Sequence, residues 1–144
     1  MGALDTALLA GIRGRGQDSM SAGKGRPYLV GHFTASNTLK PQDCYGGVVT
    51  NQGDGDAQTQ TLPKAVVGMR VTFVVMAAFA INIDPNTSTE FGVANVDQIN
   101  VNGLLDATAG DAISADAVGE FITLECLEPN VWTATSQAGT WTAA

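Results

Sequence analysis

The sequence predicts an all-β protein, an antiparallel β-sandwich or jelly-roll-like barrel behind an extended N-terminal arm containing a short helix. Three observations predict it. Strand signals recur about every ten residues beyond Pro27, each bounded by turn formers. No amphipathic helical segment of about 10 to 15 residues separates them, which excludes a βαβ enzyme fold. Ahead of the strands, a short apolar stripe is followed by a glycine-rich stretch. The 144 residues are enough for one core and too few for two ordinary domains. The chain divides into a docking arm with its glycine-rich linker, residues 1–26, and a β domain, residues 27–144.

In the arm, Leu4, Leu8 and Ile12 recur at helical spacing with Leu9 beside them. A free helix this short is marginal in water, so it is expected to dock on something. Gly11, Gly14 and Gly16 stop it, and Arg13, Arg15, Lys24 and Arg26 make the linker weakly cationic. Three readings of the arm stand open: an ordered docking element for an acidic surface, a solvated tail, or a nucleic-acid contact.

PYLVGHF and YGGVVT read as short strands, NQGDGD (51–56) as a turn, and AQTQTLP as a polar strand ended by Pro63. In MRVTFVVMAAFAINIDP, Val71, Phe73 and Val75 share one parity, and Ala80, Asn82 and Asp84 share the parity opposite to Phe79, Ile81 and Ile83. Ala77-Ala78 is read as the bend between two paired strands. A single helix is the competing reading, but it would be apolar nearly all round and rich in β-branched residues. Asn102-Gly103 marks a hairpin. FITLECLE forms a strand with Ile122, Leu124 and Cys126 on one face, and Glu128-Pro129-Asn130 turns it into VWTAT. A final hairpin centred on Ser136-Gln137 would place Trp132 opposite Trp141.

All 7 basic residues and 5 of the 14 acids lie in residues 1–70, and the other 9 acids lie in 71–144 with no base. The second half therefore has no cationic face for nucleic acid. No apolar run is long enough for a membrane-spanning helix, and the first residues lack the order of a secretory signal. Neither nucleic acid nor membrane is expected as a partner. Cys44 and Cys126 are either a disulfide or, as a chain with so few cysteines favours, two free thiols.

The groups needed for catalysis do not converge in the sequence. His32 reads as a half-buried strand residue satisfied by the backbone, and no nucleophile, metal-protease, P-loop or dinucleotide motif is present. The chain is expected not to be an enzyme and to need no cofactor. Asp54 and Asp56 form either a tight solvated turn or a weak cation site. Trp132 and Trp141 would form a sugar platform if they stood together on a solvent face. Thr-, Asn- and Gln-rich strands beside apolar ones, with a 15 % charged fraction, suit a homo-oligomer.

The run TLPKAVVGMRVTFVVMAAFAINIDPNTSTE, then VDQINVNG, then AVGEFITLECLEPNVWTATSQAGTW resembles small β domains found on tailed-phage virions. Leu62-Pro63, Gly68, Ile83 with Pro85, Ile99 with Asn102-Gly103, Gly119, and Trp132 with Trp141 carry the pattern. Val101 intervenes before the Asn-Gly turn, and the NTSTEFGVAN segment is longer than the pattern. The resemblance spans about residues 61–142 and has no catalytic motif. It implies a capsid decoration (cement) protein on the outer surface of the phage head, or alternatively a glycan-binding or adhesion knob of a head fibre or tail. It further implies a homotrimer located in the virion, with the major capsid protein as partner. In that reading Leu4, Leu8, Leu9 and Ile12 anchor the arm, Arg13 and Arg15 meet acidic groups of the shell, and residues 71–144 face outward.

Overall fold

The computed structural model describes residues 29–86, 89–90, 93–94, 96–101, 104–105 and 110–143. The arm, with Leu4, Leu8, Leu9, Ile12, Arg13 and Arg15, lies outside the described residues, as do the Asn102-Gly103 turn and the 26/27 boundary.

Among the described residues fourteen strands run in order: β1 (Val30–His32), β2 (Asn37–Thr38), β3 (Tyr45–Thr50), β4 (Gln58–Thr61), β5 (Arg70–Val74), β6 (Ile81–Asp84) and β7 (Thr89–Glu90). They continue with β8 (Val93–Ala94), β9 (Gln98–Val101), β10 (Leu104–Leu105), β11 (Ile113–Ala115), β12 (Phe121–Glu128), β13 (Val131–Ala138) and β14 (Thr142–Ala143). Among the described residues the helix is confined to a single 3-10 turn, Pro41–Cys44, whose Asp43 carboxylate accepts the Lys40 backbone N–H at 2.8 Å. One sheet has the order β1-β3-β5-β12-β13-β9-β10 and the other β14-β11-β6-β4-β2, while β7 and β8 form a small ribbon.

The sheets are mixed, which corrects the antiparallel expectation. From β1 to β6 the chain alternates between them, so each strand returns to its own sheet running the same way as the last. The β1/β3, β3/β5, β2/β4 and β4/β6 pairs are all parallel. Short crossovers at the sheet ends, rather than hairpins, make this possible without helices. The later chain supplies antiparallel pairing through β12 with β5 and with β13.

The bend at Ala77-Ala78 is present, but its two flanking strands belong to different sheets and do not pair. Asn51 explains the corner. Its side chain, fully buried, accepts from the N–H groups of Met76 (2.7 Å) and Ala77 (2.9 Å). Its amide donates to the carbonyls of Ala77 (3.1 Å) and Phe79 (2.9 Å). Four backbone groups that leave a strand at a corner thereby find partners in one side chain.

The alternation predicts the inward faces except at Phe79, which lies on the corner ahead of β6 rather than in it and is exposed. Val71, Phe73, Val75, Ile81, Ile83, Ile122, Leu124 and Cys126 are all buried in one core shared by both sheets. The Pro129-Asn130 turn closes the β12/β13 hairpin, with Asn130 in the left-handed region at φ 68°. The Trp132–Trp141 pairing is overturned. β13 runs straight through Ser136 and Gln137 and ends at Ala138, after which Gly139 (φ 88°) sends the chain to β14 in the other sheet. Trp132 instead lies opposite Cys126 on β12 and Ile99 on β9. Both tryptophans are buried, and the Trp141 indole N–H donates to the Phe121 carbonyl at 3.0 Å.

Candidate interaction surfaces

Because β3, β5 and β13 all run in one direction, their sheet has a proximal end, where those strands begin, and a distal end, where they finish. The same register decides where exposed apolar side chains collect. At the proximal end, Tyr45 opens β3, the Val66-Val67 turn leads into β5, and Leu127 closes β12. Gly68 at φ 101° makes that turn, its N–H donating to the Cys126 carbonyl at 3.0 Å, so Val66 and Val67 lie between Tyr45 and Leu127. These four side chains are 52–68 % exposed. At the distal end, Met76, Phe79 and Val118 are also exposed, gathered by Gly119 N–H donating to the Val75 carbonyl at 2.9 Å. Isolated exposed apolar residues are ordinary, whereas grouped ones mark contact surfaces.

The charges at the two ends differ. Lys40, Lys64 and Arg70, the only lysines and arginines among the described residues, all lie at the proximal end. Asp43, Glu125 and Glu128 lie among them, and Asp84 and Asp111 add acids on the five-stranded side of that end. Arg70 Nε stands 4.0 Å from a Glu125 oxygen that also accepts the Thr135 hydroxyl at 2.6 Å. Lys64 Nζ donates to Asn130 Oδ1 at 3.0 Å. At the distal end, Asp54, Asp56, Asp116 and Glu120 stand with no lysine or arginine among the described residues. Glu120 braces that end by accepting the Thr140 N–H at 2.6 Å and the Ala117 N–H at 2.8 Å. The Thr140 bond, then the Ala117 bond, holds its carboxyl below the usual carboxylate range.

Other candidate groups are engaged in structure. Asp54 caps its own turn: Oδ1 accepts the N–H of Gly55 (2.8 Å) and of Asp56 (3.2 Å), and Oδ2 accepts from the Gln58 amide at 2.6 Å. Asp56 Oδ1 takes the Ala57 N–H at 2.8 Å. This is the turn-forming alternative of the two weighed for the pair. Among the described residues no cluster of three or more His, Cys, Asp and Glu is arranged to hold a metal ion.

His32 is exposed rather than half-buried, and its partner is a side chain, not the backbone: Nδ1 lies 2.6 Å from Thr50 Oγ1. The reason is that β1 is an edge strand, with His32 opposite the buried Thr50. Cys44 and Cys126 are free and buried. Burial, then the Asp43 charge, pushes the Cys44 thiol up to about 12, and burial also raises Cys126, so neither is a ready nucleophile at neutral pH. Beside β1 and β3 a shallow cavity of about 200 Å³ is lined by Leu29, Val30, Phe33, Leu39, Val48 and Asp43, an apolar hollow with one carboxylate.

Sequence reasoning did not gather the exposed apolar end residues into surfaces: the alternation of FITLECLE leaves Leu127 on the face opposite Ile122, Leu124 and Cys126, whereas Val66 and Val67 lie in the turn before β5, where no period marks them. Asn51, read as the start of a turn, has its partners 25 to 28 residues away. Burial of both tryptophans removes the stacking face that a sugar platform built on them would need. Compared with known proteins, the sequence matches no family model and no curated protein.

Proposed function

We propose that this chain is a structural, non-catalytic subunit: a capsid decoration protein that binds the outer surface of a phage head as an oligomer and stabilises the shell. In this reading the two sheets are the layers of a β-sandwich, and residues 1–26 reach from it to the major capsid protein. The observation that supports it best is where the apolar surface lies. Apart from Leu29 and Val30 at the β1 edge, exposed hydrophobic side chains collect at the two ends of a β body, while the thiols are buried and Asp54, Asp56 and Glu120 are spent on backbone N–H groups. Contact area on a lattice is then the working quantity, since any ligand that binds only the assembled form shifts its stability by mass action. The virion setting comes from the strand-and-turn pattern of residues 61–142.

The test is deletion of residues 1–26. The truncated protein is expected to stay folded and to lose binding to purified heads in co-sedimentation, and heads lacking the protein are expected to disrupt at lower temperature. Unchanged occupancy of heads by the truncated protein refutes the arm's role, and no binding by the full chain refutes the function.

A further inference from the structure

We propose that the proximal end of the seven-stranded sheet is the face through which copies of this chain associate, and that its occupant is the same end of another copy. Tyr45, Val66, Val67 and Leu127 form its apolar centre, spread over three adjacent elements and each more than half exposed. What selects the occupant is charge. A charged face that meets itself across a symmetry axis is favoured when it carries both signs, because each charged group then encounters the groups of its own surface.

The proximal end meets that condition. Lys40, Lys64 and Arg70 lie at this end together with Asp43, Glu125 and Glu128, with Asp84 and Asp111 on its five-stranded side. The distal end does not: Met76, Phe79 and Val118 are flanked by Asp54, Asp56, Asp116 and Glu120, and two such ends brought together would set acid against acid. The apolar centre drives contact by removing surface from water, and the mixed rim permits the same surface on both sides. Tyr45 adds a large, rigid side chain of the kind that dominates contact energies.

The inference deepens the oligomer of the proposed function, and the two fail separately. An oligomer built through this end that ignores phage heads retires the function alone, whereas head binding by a chain that associates elsewhere retires this interface alone. The experiment uses the full chain, with mass measured by light scattering and sedimentation velocity at micromolar concentration. The wild type is expected to exceed the 14.8 kDa of one chain. Val67→Asp and Leu127→Asp are expected to reduce it to a monomer, and Val118→Asp at the distal end to leave it unchanged. Circular dichroism checks that each variant is folded. Tyr45→Lys, on the most exposed of the four side chains, replaces any variant that is not. A monomeric wild type, wild-type mass in the folded proximal variants, or dissociation by Val118→Asp overturns the proposal.

Discussion

Facing the same core, the seven-stranded sheet contributes Val71, Phe73, Ile122, Leu124 and Trp132, whereas the five-stranded sheet sets Gln58 and Gln60 beside Ile81, Ile83 and Ile113. The first surface needs only shape and exclusion of water. The second needs partners at fixed places. The Gln58 amide donates to the Phe33 carbonyl and to Asp54 Oδ2, both at 2.6 Å, while the Gln60 amide reaches the Ala35 carbonyl at 3.2 Å and the Gln58 side-chain oxygen. These amides tie the 33–36 loop to the five-stranded sheet, while Asn51, just past the end of β3, ties the 75–80 corner to the end of the seven-stranded sheet. The apolar faces and these buried amides should fail differently when altered.

The largest effect is expected on the apolar side. Phe73→Ala removes a fully buried ring and should cost about 3 to 5 kcal/mol in denaturant-induced unfolding. A loss below about 2 kcal/mol would mean that the core closes around the gap, and the contrast would weaken. Asn51→Ala should come next, at about 2 to 3 kcal/mol, because four backbone groups lose one shared partner. Asn51→Asp keeps the acceptor for Met76 and Ala77 but sets a buried carboxylate against the Ala77 and Phe79 carbonyls, and should cost at least as much at neutral pH. If Asn51→Ala is nearly neutral, the corner is held by packing after all.

The smallest effect is expected at Glu120, at most about 1 kcal/mol, since water screens its bonds to Thr140 and Ala117. Its pH dependence is the sharper reading. The folded-state carboxyl titrates below its ordinary 4.5, so its contribution is full above that value and is lost as pH falls through the lowered one. Glu120→Gln should therefore flatten the decline of stability with falling pH in that range. Asp84, raised above 3.8 by burial, works the opposite way, favouring the folded state most when protonated and less as pH rises through its raised value.

Strand positions were legible where alternation is strict. Val71 to Val75 and Ile122 to Cys126 announce their inward faces because burial on one side of a strand imposes a period of two. Gln58 and Gln60 carry the same period but in polar residues, and burying an amide depends on acceptors that lie 4 to 25 residues away. Pairing was legible only for local hairpins. The turn at Pro129-Asn130 fixes β12 against β13, and Leu104 lies opposite Val101 as the hairpin expected there requires. Which strand returns to which sheet is decided by crossovers, and so Trp141, near Trp132 along the chain, lies beyond a turn leading to the other sheet. The candidate surfaces were hidden for the same reason, because Val66 and Val67 differ from core residues in position and not in type. The arm residues carry a clear apolar period, but their place is outside the described residues.

The alternation of β1 to β6 between sheets has a consequence for how the molecule is made. Each parallel pair joins segments separated by a full excursion through the other sheet, so β3 has no neighbour on one flank until β5 has been synthesised and brought back. Only the β12/β13 hairpin joins consecutive strands over a long register, and it sits near the chain's end. Loop closure must be met before such distant pairings repay it, which makes folding slow and leaves bare strand edges in the meantime. In the nascent chain β5 would then lack its second neighbour until β12 had been made.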